Sequence, residues 1–113
     1  LGWTTVLVSQ TGCFIELSKK CTKLKKVFLT ANRTIRDCDI KAFADFCPQL
    51  QQLDILGTRT VTEEAIIYIL EKCTELVFLD VSFCVGITNL NTCVWRAAYP
   101  HVDIKRSFQD ISS

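Results

Sequence analysis

The sequence predicts an α/β fold made of repeated units of 26 residues, each contributing one strand and one helix. The phrase C-x-x-L-x-x-L-x-L begins at Cys21, Cys47 and Cys73 (with Val27 at the second Leu of the first copy, Ile55 and Val81 at the last Leu of the second and third). Two other series keep the same spacing, an apolar helical stripe and one aliphatic residue ahead of each helix. The stripe is Phe14, Leu17, Cys21, then Ile40, Phe43, Cys47, then Ile66, Ile69, Cys73, and the aliphatic residues are Ile35, Val61 and Ile87.

This period and apolar spacing are typical of cysteine-containing leucine-rich repeats. The expected architecture is a curved solenoid with a parallel β-sheet on its concave face and helices on its convex face. A single leucine-rich-repeat fragment is therefore expected over the whole chain. It comprises a partial repeat at 1–20, full repeats at 21–46, 47–72 and 73–99, and a C-terminal cap at 100–113.

Both ends of the chain also suggest a position within a longer solenoid. Residues 1–4 show no initiator Met or leader and are aligned here with residues 81–84, as the end of a strand. In the last unit Thr92, Trp95, Arg96 and Tyr99 replace apolar or cysteine positions of the preceding repeat, as expected of a cap. Pro100 ends the helix, and residues 102–108 form a final short strand, where we expect the solenoid and the natural protein to end.

Alternation along each strand separates core positions from outward positions. The residues predicted to be buried are Phe14, Leu17, Leu24, Val27, Leu29, Ile40, Phe43, Leu50, Leu53, Ile55, Ile66, Ile69, Leu76, Leu79 and Val81. The outward residues are Lys26, Phe28, Thr30, Gln52, Asp54, Leu56, Phe78, Asp80 and Ser82. An inward position after each strand holds Asn32, Thr58 and Cys84, and Thr62 is predicted to cap its helix, with a weaker cue at Thr88.

Exposed apolar side chains on a repeat protein mark a candidate binding face. A further column, one step past the strands, contains Trp3, Ala31, Gly57 and Phe83. The candidate partner-binding residues on the concave face are Trp3, Lys26, Phe28, Thr30, Gln52, Asp54, Leu56, Phe78, Asp80 and Phe83. Packing of this face under a flanking loop or tail is the alternative.

The seven cysteines favour buried thiols in an intracellular, reducing compartment, because three of them repeat at one structural position. Disulfides between neighbouring repeats remain open on distance alone, and a metal site is disfavoured because the sequence contains no C-x-x-C pair.

Little in the sequence points to catalysis. The one histidine, His101, lies in the terminal unit, and no Gly-rich phosphate loop or metal-spaced cluster is present, so we expect neither an enzyme nor a cofactor. A net charge of +1 does not favour nucleic acid. The longest apolar stretch, residues 65–70, is too short to span a membrane.

The repeat phrase resembles the cysteine-containing class of the F-box/leucine-rich-repeat proteins, most clearly at Leu79-Asp-Val-Ser-Phe-Cys84 with Ile87-Thr88. Residues 27–33, 53–59 and 104–108 are similar to the C-terminal repeats of a mitochondrion-associated member of that family. The resemblance covers essentially the whole chain.

The resemblance implies a substrate receptor of a Skp1–cullin–F-box (SCF) ubiquitin ligase, linked to mitochondrial quality control and mitophagy, in the cytoplasm or at mitochondria. A protein substrate would bind the concave face, and Skp1 and cullin would be reached only through an F-box, which these residues do not contain. Two other functions stay open: structural capping of a larger repeat scaffold whose binding site lies elsewhere, and, more distantly, a thiol-based switch.

Overall fold

A computed structural model describes residues 5–7, 14–29 and 35–107, with backbone alone for residues 5–7 and Phe14. Strands and helices alternate along the chain. They are β1 (Thr5–Leu7), α1 (Phe14–Lys20), β2 (Lys26–Phe28), α2 (Asp37–Phe46), β3 (Gln52–Asp54), α3 (Glu63–Lys72), β4 (Phe78–Asp80), α4 (Asn89–Ala98) and β5 (Asp103–Lys105).

The strands form one five-stranded parallel sheet in the order in which they occur along the chain. Lys26 pairs with Gln52, and Gln52 pairs with Phe78, so the 26-residue sequence period is also the register of the central strands. Parallel neighbours need a crossover connection, and a helix supplies each one. The α/β class with a parallel sheet is therefore confirmed.

One core joins the sheet to the helices. The middle residue of each strand from β2 to β5 is buried, and so are the inward stripes of α2 and α3. Of the residues predicted to be buried, Leu24, Val27, Leu29, Ile40, Phe43, Leu50, Leu53, Ile55, Ile66, Ile69, Leu76, Leu79 and Val81 are confirmed. Leu17 is only partly buried, at the edge of the core, and the side chain of Phe14 lies outside the described residues.

The alignment of residues 1–4 with a strand end is wrong. The first strand is Thr5–Leu7, and Thr5 pairs with Lys26, so the first unit is shorter than the 26-residue repeats that follow. A fixed period carried backward from the later repeats placed this strand too early.

The helix starts differ from the capping prediction. Thr62 occupies the N-cap of α3, but its side chain does not cap the helix. Instead its hydroxyl and its backbone N–H both donate to the Asp37 carboxylate of the preceding repeat. Thr88, the weaker cue, forms a full capping box with Asn91.

The cysteine column lies in the core and contacts backbone. The Cys47 thiol donates to the Cys21 carbonyl at 3.3 Å, and the Cys73 thiol donates to the Cys47 carbonyl at 3.6 Å. The six described cysteines are free thiols. Burial is the main cause that raises the pKa of Cys47 to about 11 and the pKa of Cys73 to about 12.

Candidate protein-binding face

The open face is the side of the sheet that points away from the core, carrying Lys26, Phe28, Gln52, Asp54, Phe78, Asp80, Asp103 and Lys105. Along each of these strands the middle residue is buried and its two neighbours are partly or fully exposed. Alternating side-chain direction in an extended strand produces this pattern. The open face is therefore fixed by the same apolar residues that build the core.

Strand register arranges the open face into two rows. The first row runs Lys26, Gln52, Phe78, Asp103, and the second runs Phe28, Asp54, Asp80, Lys105. Neighbours in a row lie about 4.8 Å apart, the usual spacing of paired strands. Aromatic, amide and charged side chains therefore alternate over a short distance.

The two carboxylates of the second row are held by their own backbone. Asp54 Oδ1 accepts a hydrogen bond from the Leu56 N–H at 2.9 Å, and Asp80 Oδ1 accepts one from the Ser82 N–H at the same distance. Asp side chains commonly bond the backbone two residues on in this way. The bond fixes each carboxylate at the end of its strand, beside Phe28 and Phe78.

Phe83 adopts an unusual backbone conformation just past β4. Its φ is 59°, and the residue one repeat earlier, Gly57, also has a positive φ of 81°. Glycine adopts this left-handed region freely, whereas an L side chain is strained there by roughly 1–2 kcal/mol. Phe83 is nevertheless 40% exposed. An aromatic side chain thus occupies a strained position without being fully buried.

The other predicted site residues fall in different places. Leu56 is half-buried in the turn after β3, and Trp3 and Thr30 lie outside the described residues. The outward direction predicted for Ser82 is wrong: Ser82 is buried, and its Oγ accepts the Ser107 N–H at 2.8 Å. The alternating pattern fails there because β4 ends at Asp80 and the chain turns.

Asp103 and Lys105 extend both rows but were not among the predicted site residues. Their signal was present in the sequence, since they flank the apolar Ile104 as Phe78 and Asp80 flank Leu79. The spacing from β4 to β5 is one residue shorter than the repeat period, which hid the match.

The composition of the open face suits binding, because apolar anchors stand next to fixed charges. Among the described residues no group of three His, Cys, Asp or Glu could hold a metal ion. In the same part of the chain, no helix is long and apolar enough to cross a membrane. His101 stacks edge-to-face on Tyr99, with ring centroids 6.4 Å apart.

Comparison with known proteins gives the relationship. No family model matches the chain. Over 108 residues, 96% of the chain, it is 48% identical to F-box/LRR-repeat protein 4 of Bos taurus. The chain is related to the F-box/LRR-repeat proteins. It spans 17% of the length of that F-box/LRR-repeat relative, which is the family member that residues 27–33, 53–59 and 104–108 were found to resemble.

Proposed function

We propose that this chain is a protein-interaction region whose open face binds a partner protein, as the substrate-recognition repeats of an SCF-type ubiquitin ligase receptor. Phe83 carries the proposal, since a strained, 40% exposed aromatic stands where the preceding repeat has glycine. Backbone strain of this kind clusters at functional sites. Core packing alone gives no reason to keep a large side chain there.

The surroundings of Phe83 support the same function. Phe28 and Phe78 are half-buried on the open face, next to Asp54 and Asp80, whose carboxylates are held in place. Aromatic anchors with a polar rim are the arrangement that protein interfaces use for most of their binding energy. The bound partner would cover both rows.

The larger architecture is proposed as a leucine-rich-repeat solenoid with the open face as its concave side. Sequential parallel pairing and the 26-residue register support this geometry. In such an array each repeat contacts its neighbours, and the curved sheet presents an extended binding surface.

The ligase context is proposed from the name of the related protein, which joins an F-box to repeats. Skp1 and cullin would be reached through an F-box outside these 113 residues, while the repeats bind the protein to be ubiquitinated. We also propose a role in mitochondrial quality control and mitophagy, and a reducing compartment at mitochondria or in the cytoplasm. The buried, free thiols of Cys47 and Cys73 support the reducing compartment.

Phe83→Gly tests this function, because it removes the aromatic side chain and the backbone strain together. We expect the free energy of unfolding to change by no more than about 1 kcal/mol, since relief of strain offsets the lost packing. Partner affinity should fall by about 1–4 kcal/mol. Quantitative capture from cells, with the intact natural protein carrying each variant, identifies the partners by their loss.

Leu90→Ala is the matched control, since Leu90 is the most exposed of the large apolar residues described and lies on α4, away from the open face. Proteins lost with Phe83→Gly and retained with Leu90→Ala are the expected result. If both variants capture the same proteins as the wild type, the open face does not bind the partner, and structural capping becomes the better account.

A further inference from the structure

The strand β5 is the last strand of the described sheet, and one of its sides faces away from β4. Asp103 N–H donates to the Val77 carbonyl, and the carbonyls of Lys105 and Ser107 accept from Val81 and Phe83. Hydrogen-bonding direction alternates along a strand. The backbone N–H and C=O of Ile104 therefore point to the open edge, where no described strand pairs with them.

Arg96 covers this edge. Its Nε and Nη2 both donate to the Ile104 carbonyl oxygen, at 3.1 and 2.8 Å. One repeat earlier the same helical position holds Leu70, which is buried. The terminal unit thus replaces a core leucine with a side chain that occupies the acceptor of the edge strand.

Without Arg96, the β5 edge is complementary to itself. In an antiparallel pair of two β5 strands centred on Ile104, the two Ile104 residues would exchange their N–H and C=O groups. Asp103 of each copy would then face Lys105 of the other, which gives two opposite-charge pairs on one face. Both side chains are exposed and within reach of one another, since they form an ion pair at 3.6 Å within β5.

We propose that Arg96 closes the β5 edge against a second copy of this chain, which would otherwise pair with it strand to strand about a twofold axis. Unpaired edge strands are templates for such association, and proteins block them with charged side chains. The guanidinium does so here by bonding the carbonyl that the second copy needs. This edge is separate from the open face, so the inference stands independently of the proposed function.

Sedimentation velocity of the purified 113-residue chain over a concentration series tests the proposal. Arg96→Ala should lower the dimer dissociation constant by about tenfold or more relative to the wild type, the effect of roughly 1.4 kcal/mol of pairing. Adding Lys105→Asp places Asp against Asp and should raise that constant again by about tenfold. Hydrogen exchange should show protection of the Ile104 amide that increases with concentration in Arg96→Ala alone.

Arg106→Ala is the control, because Arg106 is an arginine at the same end whose Nε reaches the Ile87 carbonyl at 3.4 Å instead. It should leave self-association unchanged. Far-UV circular dichroism checks folding, and Arg96→Gln replaces Arg96→Ala if the alanine variant unfolds. No gain in self-association, or a gain that Lys105→Asp fails to reverse, would overturn the proposal.

Discussion

Leu53→Ala is expected to lower the free energy of unfolding by about 2–5 kcal/mol. Leu53 is the middle residue of the central strand, is fully buried, and pairs with Val27 on one side and Leu79 on the other. A cavity there is bordered by packed neighbours in both adjoining repeats. The loss is a large part of the roughly 5–15 kcal/mol that stabilises a small domain, and urea unfolding followed by circular dichroism measures it.

Gln52→Ala serves as the comparison, because Gln52 precedes Leu53 on the same strand and is half-buried on the open face. It should change the unfolding free energy by about 0.5 kcal/mol or less. A loss below about 0.5 kcal/mol for Leu53→Ala would remove Leu53 from the core and, with it, the assigned direction of β3.

Alkaline pH is expected to destabilise the fold through the cysteine column. Burial raises the pKa of Cys47 to about 11 and that of Cys73 to about 12, from an ordinary value of 9.0. Above pH 9 the unfolded chain therefore releases protons that the folded chain retains. The stabilisation is complete below pH 9 and is lost as the pH rises through 11 to 12, with a slope of up to about 1.4 kcal/mol per pH unit for each thiol.

Unfolding free energies measured from pH 8 to pH 11 in reductant test the slope. The double variant Cys47→Ala, Cys73→Ala should be less stable at pH 8 but should show a flatter decline. Cys38→Ala, at an exposed position, should keep the slope of the wild type. An equally steep decline in the double variant would mean that these two thiols do not cause it.

The core and the strand register were predictable because both depend on a strict period. Leu53 and Leu79 recur 26 residues apart, and each lies where the alternation of a strand places it. The shortened first unit was not predictable, since an extrapolated period contains no information about a repeat of another length. Ser82 was misplaced for a related reason, because alternation holds only while the chain stays extended.

Contacts between repeats were beyond the reach of the sequence pattern. The hydroxyl of Thr62 bonds Asp37 in the preceding repeat, although Thr62 has the local features of a helix cap. Arg96 reads as a polar replacement in a terminal unit, and only the folded chain brings its guanidinium to Ile104. The positive φ of Phe83 is likewise hidden, because glycine at position 57 was a cue for one repeat only.

The most direct test of the open face compares Phe78→Ala with Leu79→Ala, two adjacent residues of β4 that differ in direction. Leu79→Ala should lower the free energy of unfolding by about 2–5 kcal/mol. Phe78→Ala should lower it by about 1 kcal/mol or less while weakening partner binding by about 1–4 kcal/mol. Equal destabilisation by both variants, with partner affinity unchanged by Phe78→Ala, would contradict the assignment of this face to binding.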